Sequence, residues 1–257
     1  MEFLNGLIEM ISGLRVEIPL VILVAAGGAF IQRVSGFGFG IFVMIFLPYI
    51  LPEYGPATVL SSAMGLVMST QVAIEKRKYI NWKLVVPCFA TAMITTVLAV
   101  AFMKGQSSEL LKGLLGGTLI VLSVYFIFFS KKLRIKANIP AGLGAGALSG
   151  VMGGLFSMSG PPIVVYMINA AASATEYLAT IQAYFVLNGV FSIATKIVAG
   201  FLTPQVVVLW VFGAIGSFIG TRVGGKVFDK LNPERIKQIA YVVMAISGVV
   251  TVLSVVL

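Results

Sequence analysis

The stretch Ser35-Gly36-Phe37-Gly38-Phe39-Gly40 interrupts one apolar run of this chain, and Ser157-Met158-Ser159-Gly160-Pro161-Pro162 interrupts another. Glycine loosens the backbone and proline removes an N–H donor, so both stretches are expected to be non-helical or kinked. Each leads into a short apolar run, 39–51 and 161–172. These fall short of the roughly 17–25 residues a helix needs to cross the hydrocarbon layer. Irregular backbone survives at membrane depth only where protein or a water-filled cavity satisfies its polar groups. The two breaks therefore point to an interior site, if the rest of the chain lies in a bilayer.

The rest of the chain does read that way. Runs 18–34, 57–74, 84–103, 110–129, 139–156, 178–198, 205–221 and 238–257 are apolar and about the length of a membrane span. Hydrophobic residues make up 59% of 257, charged residues only 11%, and the mean hydropathy is +1.04. A water-soluble domain needs far more charge on its surface. The N-terminus, Met1-Glu2-Phe3-Leu4-Asn5, carries acid where a signal peptide carries base, so no cleavable leader is expected. The chain has no histidine and one cysteine, Cys88. Together with scattered acids, this argues against an enzyme, a metal site or any cofactor. The net charge of +9 lies between the apolar runs, which suits membrane topology better than nucleic-acid binding.

The basic residues cluster in three loops. Lys76, Arg77, Lys78 and Lys83 fill one, Lys131, Lys132, Arg134 and Lys136 the next, and Arg222, Lys226, Lys230, Arg235 and Lys237 surround the third. If about ten segments alternate, all three fall on one side, which the positive-inside rule makes cytoplasmic, with both termini outside. The halves also match weakly. Ala57-Thr58-Val59 corresponds to Ala179-Thr180-Ile181, and Ile80-Asn81-Trp82-Lys83 to Leu202-Thr203-Pro204-Gln205. Basicity swaps between equivalent loops: 75–83 is strongly basic where 196–204 has only Lys196, and 222–237 is strongly basic where 104–112 is not. The fold expected is all-α and polytopic. It comprises two inverted five-segment repeats, 18–130 and 138–257, joined by a cytoplasmic linker 131–137, with broken helices at the centre.

Gly28-Ala29-Phe30-Ile31-Gln32 running into the first break resembles the first-half signature of the TauE/SafE family of sulfite exporters. Gly153-Gly154-Leu155-Phe156 into Ser159-Gly160-Pro161-Pro162-Ile163-Val164-Val165-Tyr166 resembles its second-half signature. Ala179-Thr180-Ile181-Gln182, Asn188 and Gly200-Phe201-Leu202-Thr203 also sit where that family has similar residues, so the resemblance spans roughly 20–257. It implies a multi-pass protein of the bacterial inner membrane that transports sulfite, organosulfonates or related small anions.

The residues of the breaks suit that task. Helices starting near Gly40 and Pro161 would aim N–H groups and positive dipole ends at an anion, each end worth about 0.3–1 kcal/mol. A sulfonate or a carboxylate would be served alike. The candidate substrate-binding residues are Gln32, Arg33, Ser35, Gly36, Phe37, Gly38, Gly40, Ser157, Ser159, Gly160, Pro161, Gln182 and Asn188. Each has a plainer alternative. Glycines let helices approach, as the fourfold spacing of Gly142, Gly146, Gly150 and Gly154 suggests, and amides stitch helices together. Arg33 is expected to contact the anion, cap freed carbonyls or snorkel. No acid inside a span is expected to pair with it, since Glu53 and Glu176 lie near segment ends. Lys196, near a helix end, is expected to snorkel. The function expected is secondary transport of a small anion by alternating access, with the bilayer as the other partner. An anion channel or a carboxylate carrier is the alternative.

Overall fold

The computed structural model describes residues 6, 10–129, 138–227 and 233–256, with backbone only at 129, 227, 233–237, 239, 240 and 256. The expected linker 131–137 and the basic residues within it, together with Lys230, lie outside these. Every regular element among the described residues is helical. In chain order they are α1 (Glu17–Ser35), α2 (Phe39–Ile50), α3 (Tyr54–Glu75), α4 (Trp82–Lys104) and α5 (Ser108–Val124). After the linker come α6 (Ile139–Phe156), α7 (Gly160–Ala170), α8 (Ala174–Val198), α9 (Pro204–Val227) and α10 (Pro233–Val256). Among the described residues, seven helices are long and apolar enough to cross a membrane: α1, α3, α4, α5 extended to Phe128, α6, α8 and α9. Leu23, Ile94, Leu98, Val121 and Leu148 stand exposed on their outer faces, as lipid contact allows and water does not. The chain is a multi-pass helical membrane protein.

Local chemistry sets the helix ends. Asn81, Ser107, Asn138 and Ser173 accept hydrogen bonds from the first-turn N–H groups of α4, α5, α6 and α8, satisfying donors that the helix itself cannot. Leu51, before Pro52, is extended and stops α2. Helices run past several of the apolar limits. α9 continues beyond 221 to Val227, and α3 starts at Tyr54 because Pro56 fits a first turn. Run 110–129 is not one regular helix: α5 gives way to a π-helical turn, Tyr125–Phe129.

Small residues decide which helices touch. α9 lies along α1, where Gly216 and Gly220 rest on the carbonyls of Ile22 and Ala26. α4 lies along α6, where Gly146 and Gly150 rest on the carbonyls of Cys88 and Ala92. A side chain at any of these glycines would force the helices apart. Thr91, Thr95 and Thr96 of α4 add hydroxyl donors to the carbonyls of Leu143, Ala147 and Gly150 at 2.8, 2.8 and 3.2 Å. α5 packs on α10, with Gly116 against Gly248, and α3 packs on α8 at the centre. The short helices α2 and α7 are inserted between α1 and α3 and between α6 and α8.

Candidate functional site

The first break is a left-handed turn. Gly36 (φ 86°) closes α1 through its N–H to the Gln32 carbonyl at 2.8 Å, and Gly38 (φ 108°) opens α2. Such angles are cheap only for glycine. Gln32 Oε1 then accepts the Phe39 N–H at 3.1 Å, while Gln32 Nε2 donates to Ser69 Oγ (3.2 Å) and Gln182 Oε1 (3.1 Å). Gln182 Nε2 donates to the Gly36 carbonyl at 3.0 Å. The two buried amides thus satisfy backbone that the break sets free, as membrane depth demands. Ser35 Oγ is likewise engaged by the carbonyls of Ile31 (2.7 Å) and Phe37 (2.5 Å).

The second break turns at Ser157, which is left-handed (φ 56°) although it carries a side chain. That conformation costs a non-glycine residue about 1 kcal/mol or more. Its hydroxyl offsets the strain, donating to the Thr58 carbonyl at 2.7 Å and standing 3.0 Å from Ser62 Oγ. Ser159 Oγ accepts from Asn188 Nδ2 at 2.8 Å, and the Ser159 carbonyl accepts from Ser149 Oγ at 2.6 Å. α7 then starts at Gly160 without a side-chain cap. Because Pro161 and Pro162 have no N–H, this helix end offers fewer donors than the sequence reading assumed. The N–H groups at the start of α2 are the richer set.

The two breaks meet. Gly40 sits directly on the Ser157 carbonyl, with no room for a Cβ between them, and Gly160 faces Phe37 and Phe185. Between the breaks lies a small polar cavity of about 60 Å³, lined by Gly38–Ile41, Ser157–Pro161, Gln32 and residues of α3 and α8. This exceeds the roughly 10–15 Å³ that one water needs. Three buried groups on its wall have no partner: Ser61 Oγ, Ser192 Oγ and Asn188 Oδ1. Unpaired polar atoms inside protein cost about 1–3 kcal/mol each, so this wall is built for a ligand or for water.

Of the candidate residues, Gln32, Gly38, Gly40, Ser157, Ser159, Gly160, Pro161 and Asn188 line the cavity. Ser35, Gly36, Phe37, Gln182 and Arg33 do not. Gln182 and Gly36 hold the break from behind, and Phe37 packs its ring 5.3 Å from Phe126, toward Tyr241 and Met244. Arg33 is the larger correction. Its Nη2 pairs with Glu75 at 2.9 Å, so an acid is available after all, at the end of α3. The pair lines a separate pocket with Arg222 and Lys226. The long side chain leaves the break and runs past Gly224 and Gly225 of α9.

Lys196 is the second correction. It does not snorkel; it is fully buried. Its Nζ donates to Ser157 Oγ (2.8 Å), Ser62 Oγ (3.2 Å) and the Gly153 carbonyl (3.2 Å), with the Thr58 carbonyl at 3.5 Å. No carboxylate is among these partners. The sequence signal was present, a lysine inside α8 one turn beyond Ser192, but its position near the helix end outweighed it.

Similarity to known proteins agrees with this architecture. The model of a family described as sulfite exporter TauE/SafE matches residues 20–251. Over 223 residues, 84% of this chain and 86% of the relative, the sequence is 21% identical to the probable sulfite/organosulfonate exporter TauE of Cupriavidus necator. No solved structure matches the chain. With its family model covering both breaks and nearly every helix, the chain belongs to the sulfite exporter TauE/SafE family.

Proposed function

We propose that this protein is a secondary transporter that carries small sulfur oxyanions, sulfite or organosulfonates, across the bacterial inner membrane. The family and the relative's name support the cargo. The observation that carries the site is the meeting of two helix breaks, Gly40 against Ser157, at one polar cavity. Discontinuous helices at matching places in two halves are the hallmark of a transporter's binding site. In this reading the anion takes the N–H groups of Gly40 and Ile41 together with hydroxyls of Ser61, Ser62 and Ser192. A sulfonate group, with three acceptor oxygens, uses such a donor set fully.

The same reading makes 18–130 and 138–257 inverted repeats joined by 131–137. Helix packing supports it: α9 lies on α1 as α4 lies on α6, and α3–α8 and α5–α10 map onto themselves when the halves are exchanged. The swapped loop charges support opposite orientation of the halves. Alternating access would then be one bundle rocking against the other about the breaks. A channel would need a polar stripe along several helices, whereas the unpartnered groups of this wall gather at the breaks. Titration of the purified protein with sulfite, isethionate, methanesulfonate and acetate tests the cargo. Binding of the sulfur oxyanions with weak or no acetate binding is expected; acetate binding as well as isethionate would move the protein to the carboxylate carriers.

A further inference from the structure

We infer that Lys196 supplies the countercharge of the bound anion, acting through Ser62 and Ser157, and that its single charge makes the site select monoanions over dianions. The inference rests on the reading that the cavity holds the anion.

Lys196 lies one hydroxyl behind the cavity wall. Its Nζ donates to Ser62 Oγ and Ser157 Oγ, both of which line the cavity. Ser157 passes its own proton to the Thr58 carbonyl. Ser62, accepting from the ammonium, gives its O–H to Ser157 Oγ at 3.0 Å in the empty site, and turns it to an oxyanion bound in the cavity. A hydroxyl that accepts from a cation is a stronger donor in turn. Lys196 is therefore a positioning residue for the anion rather than a direct ligand.

The charge count follows from what surrounds it. A charged side chain inside a membrane protein pairs with an opposite charge or with backbone carbonyls. Here the acceptors are neutral, and the residues with charge on adjoining helices make no hydrogen bond to Nζ. These are Glu75 on α3, Arg77 and Lys78 in the short turn after it, Lys83 and Lys104 on α4, and Glu176 at the start of α8; Glu75 is taken by Arg33 and Lys76. The Tyr54 hydroxyl of α3 has no hydrogen-bond partner, and α6 carries no charged residue. With Lys196 as an ammonium, the empty site holds one positive charge that no carboxylate offsets, because the positive start of α2 is balanced by the negative end of α6, whose Gly153 carbonyl meets Nζ. A monoanion brings the site close to neutral. A dianion overshoots and leaves net negative charge in a low-dielectric interior, which is costly. Hydrogensulfite and sulfonates without a second acid, such as isethionate and methanesulfonate, are monoanions; sulfate and the sulfite dianion are not.

A purely structural role is the rival explanation, since Lys196 also meets the Gly153 carbonyl at the end of α6 and cations stabilise helix C-termini. Charge selectivity separates the two. Methanesulfonate and sulfate are nearly the same size and differ by one charge. The full-length protein in lipid nanodiscs is titrated with each at neutral pH, as wild type, Lys196→Gln and Lys196→Arg, with thermal unfolding of each variant recorded without anion. Wild type is expected to bind methanesulfonate at least about tenfold tighter than sulfate, and Lys196→Gln to lose about tenfold or more of that affinity. Lys196→Arg is expected to keep the preference. A folded Lys196→Gln with unchanged affinity and preference overturns the role of Lys196. Wild type binding sulfate as tightly as methanesulfonate overturns the charge rule, and this arm decides even if both variants fail to fold. Wild type that binds neither anion refutes the anion site itself.

Discussion

Gly40 carries the tightest constraint on the site. A methyl group there would collide with the Ser157 carbonyl, which belongs to backbone and cannot swing aside. Gly40→Ala is expected to cost about 1–3 kcal/mol, as overpacking does, and to abolish anion binding by parting the breaks. Thermal unfolding and titration check this; a stable variant that still binds would show that the contact is dispensable. At Arg33 the expectation is reversed. Its partner Glu75 is half exposed, and such pairs contribute at most about 1 kcal/mol. Arg33→Gln is expected to leave anion affinity within about twofold, and a tenfold loss would return Arg33 to the site. The residue types were legible in the sequence, but their partners were not. Glu75 lies 42 positions from Arg33, and Thr58 lies 138 from Lys196. Only packing brings them together, so an arginine that looked unpaired is paired, and a lysine that looked superficial is buried.

Elements were easier to read than partners, because glycine and proline act locally. Both breaks could be placed from sequence, and the short helices α2 and α7 follow them as expected. Exact limits were not legible where an apolar run continued but the hydrogen-bond pattern changed, as at the π-helical turn Tyr125–Phe129. The second break also differs from the first in a way that composition hides: a serine, not a glycine, takes the left-handed position. Its hydroxyl and its strain can be separated by two substitutions. Ser157→Gly removes both, and Ser157→Ala removes only the hydroxyl. Ser157→Ala is therefore expected to be less stable than Ser157→Gly by about 1 kcal/mol, with both weakened in anion binding. Equal stabilities, read by chemical or thermal unfolding, would mean that the turn is not strained.

At the scale of the whole molecule, the proposed inversion of the two halves ties topology to the site. Polar backbone at the breaks, swapped loop charges and exchanged helix partners all follow from one arrangement. It sets the side on which each loop emerges. In a Cys88→Ala background, Lys78→Cys is expected to resist an impermeant thiol reagent in intact cells and to react once the cells are opened. Reaction in intact cells would invert the orientation. Above all, the anion must bind between the two breaks. A crystal structure of the protein with 2-bromoethanesulfonate, a sulfonate whose bromine can be located by anomalous scattering, tests that directly. The bromine peak is expected beside the cavity between Gly40 and Ser157, with the sulfonate oxygens toward the start of α2 and Ser62. A peak at Arg33, Arg222 and Lys226 instead, with the cavity between the breaks left without sulfonate, would contradict it.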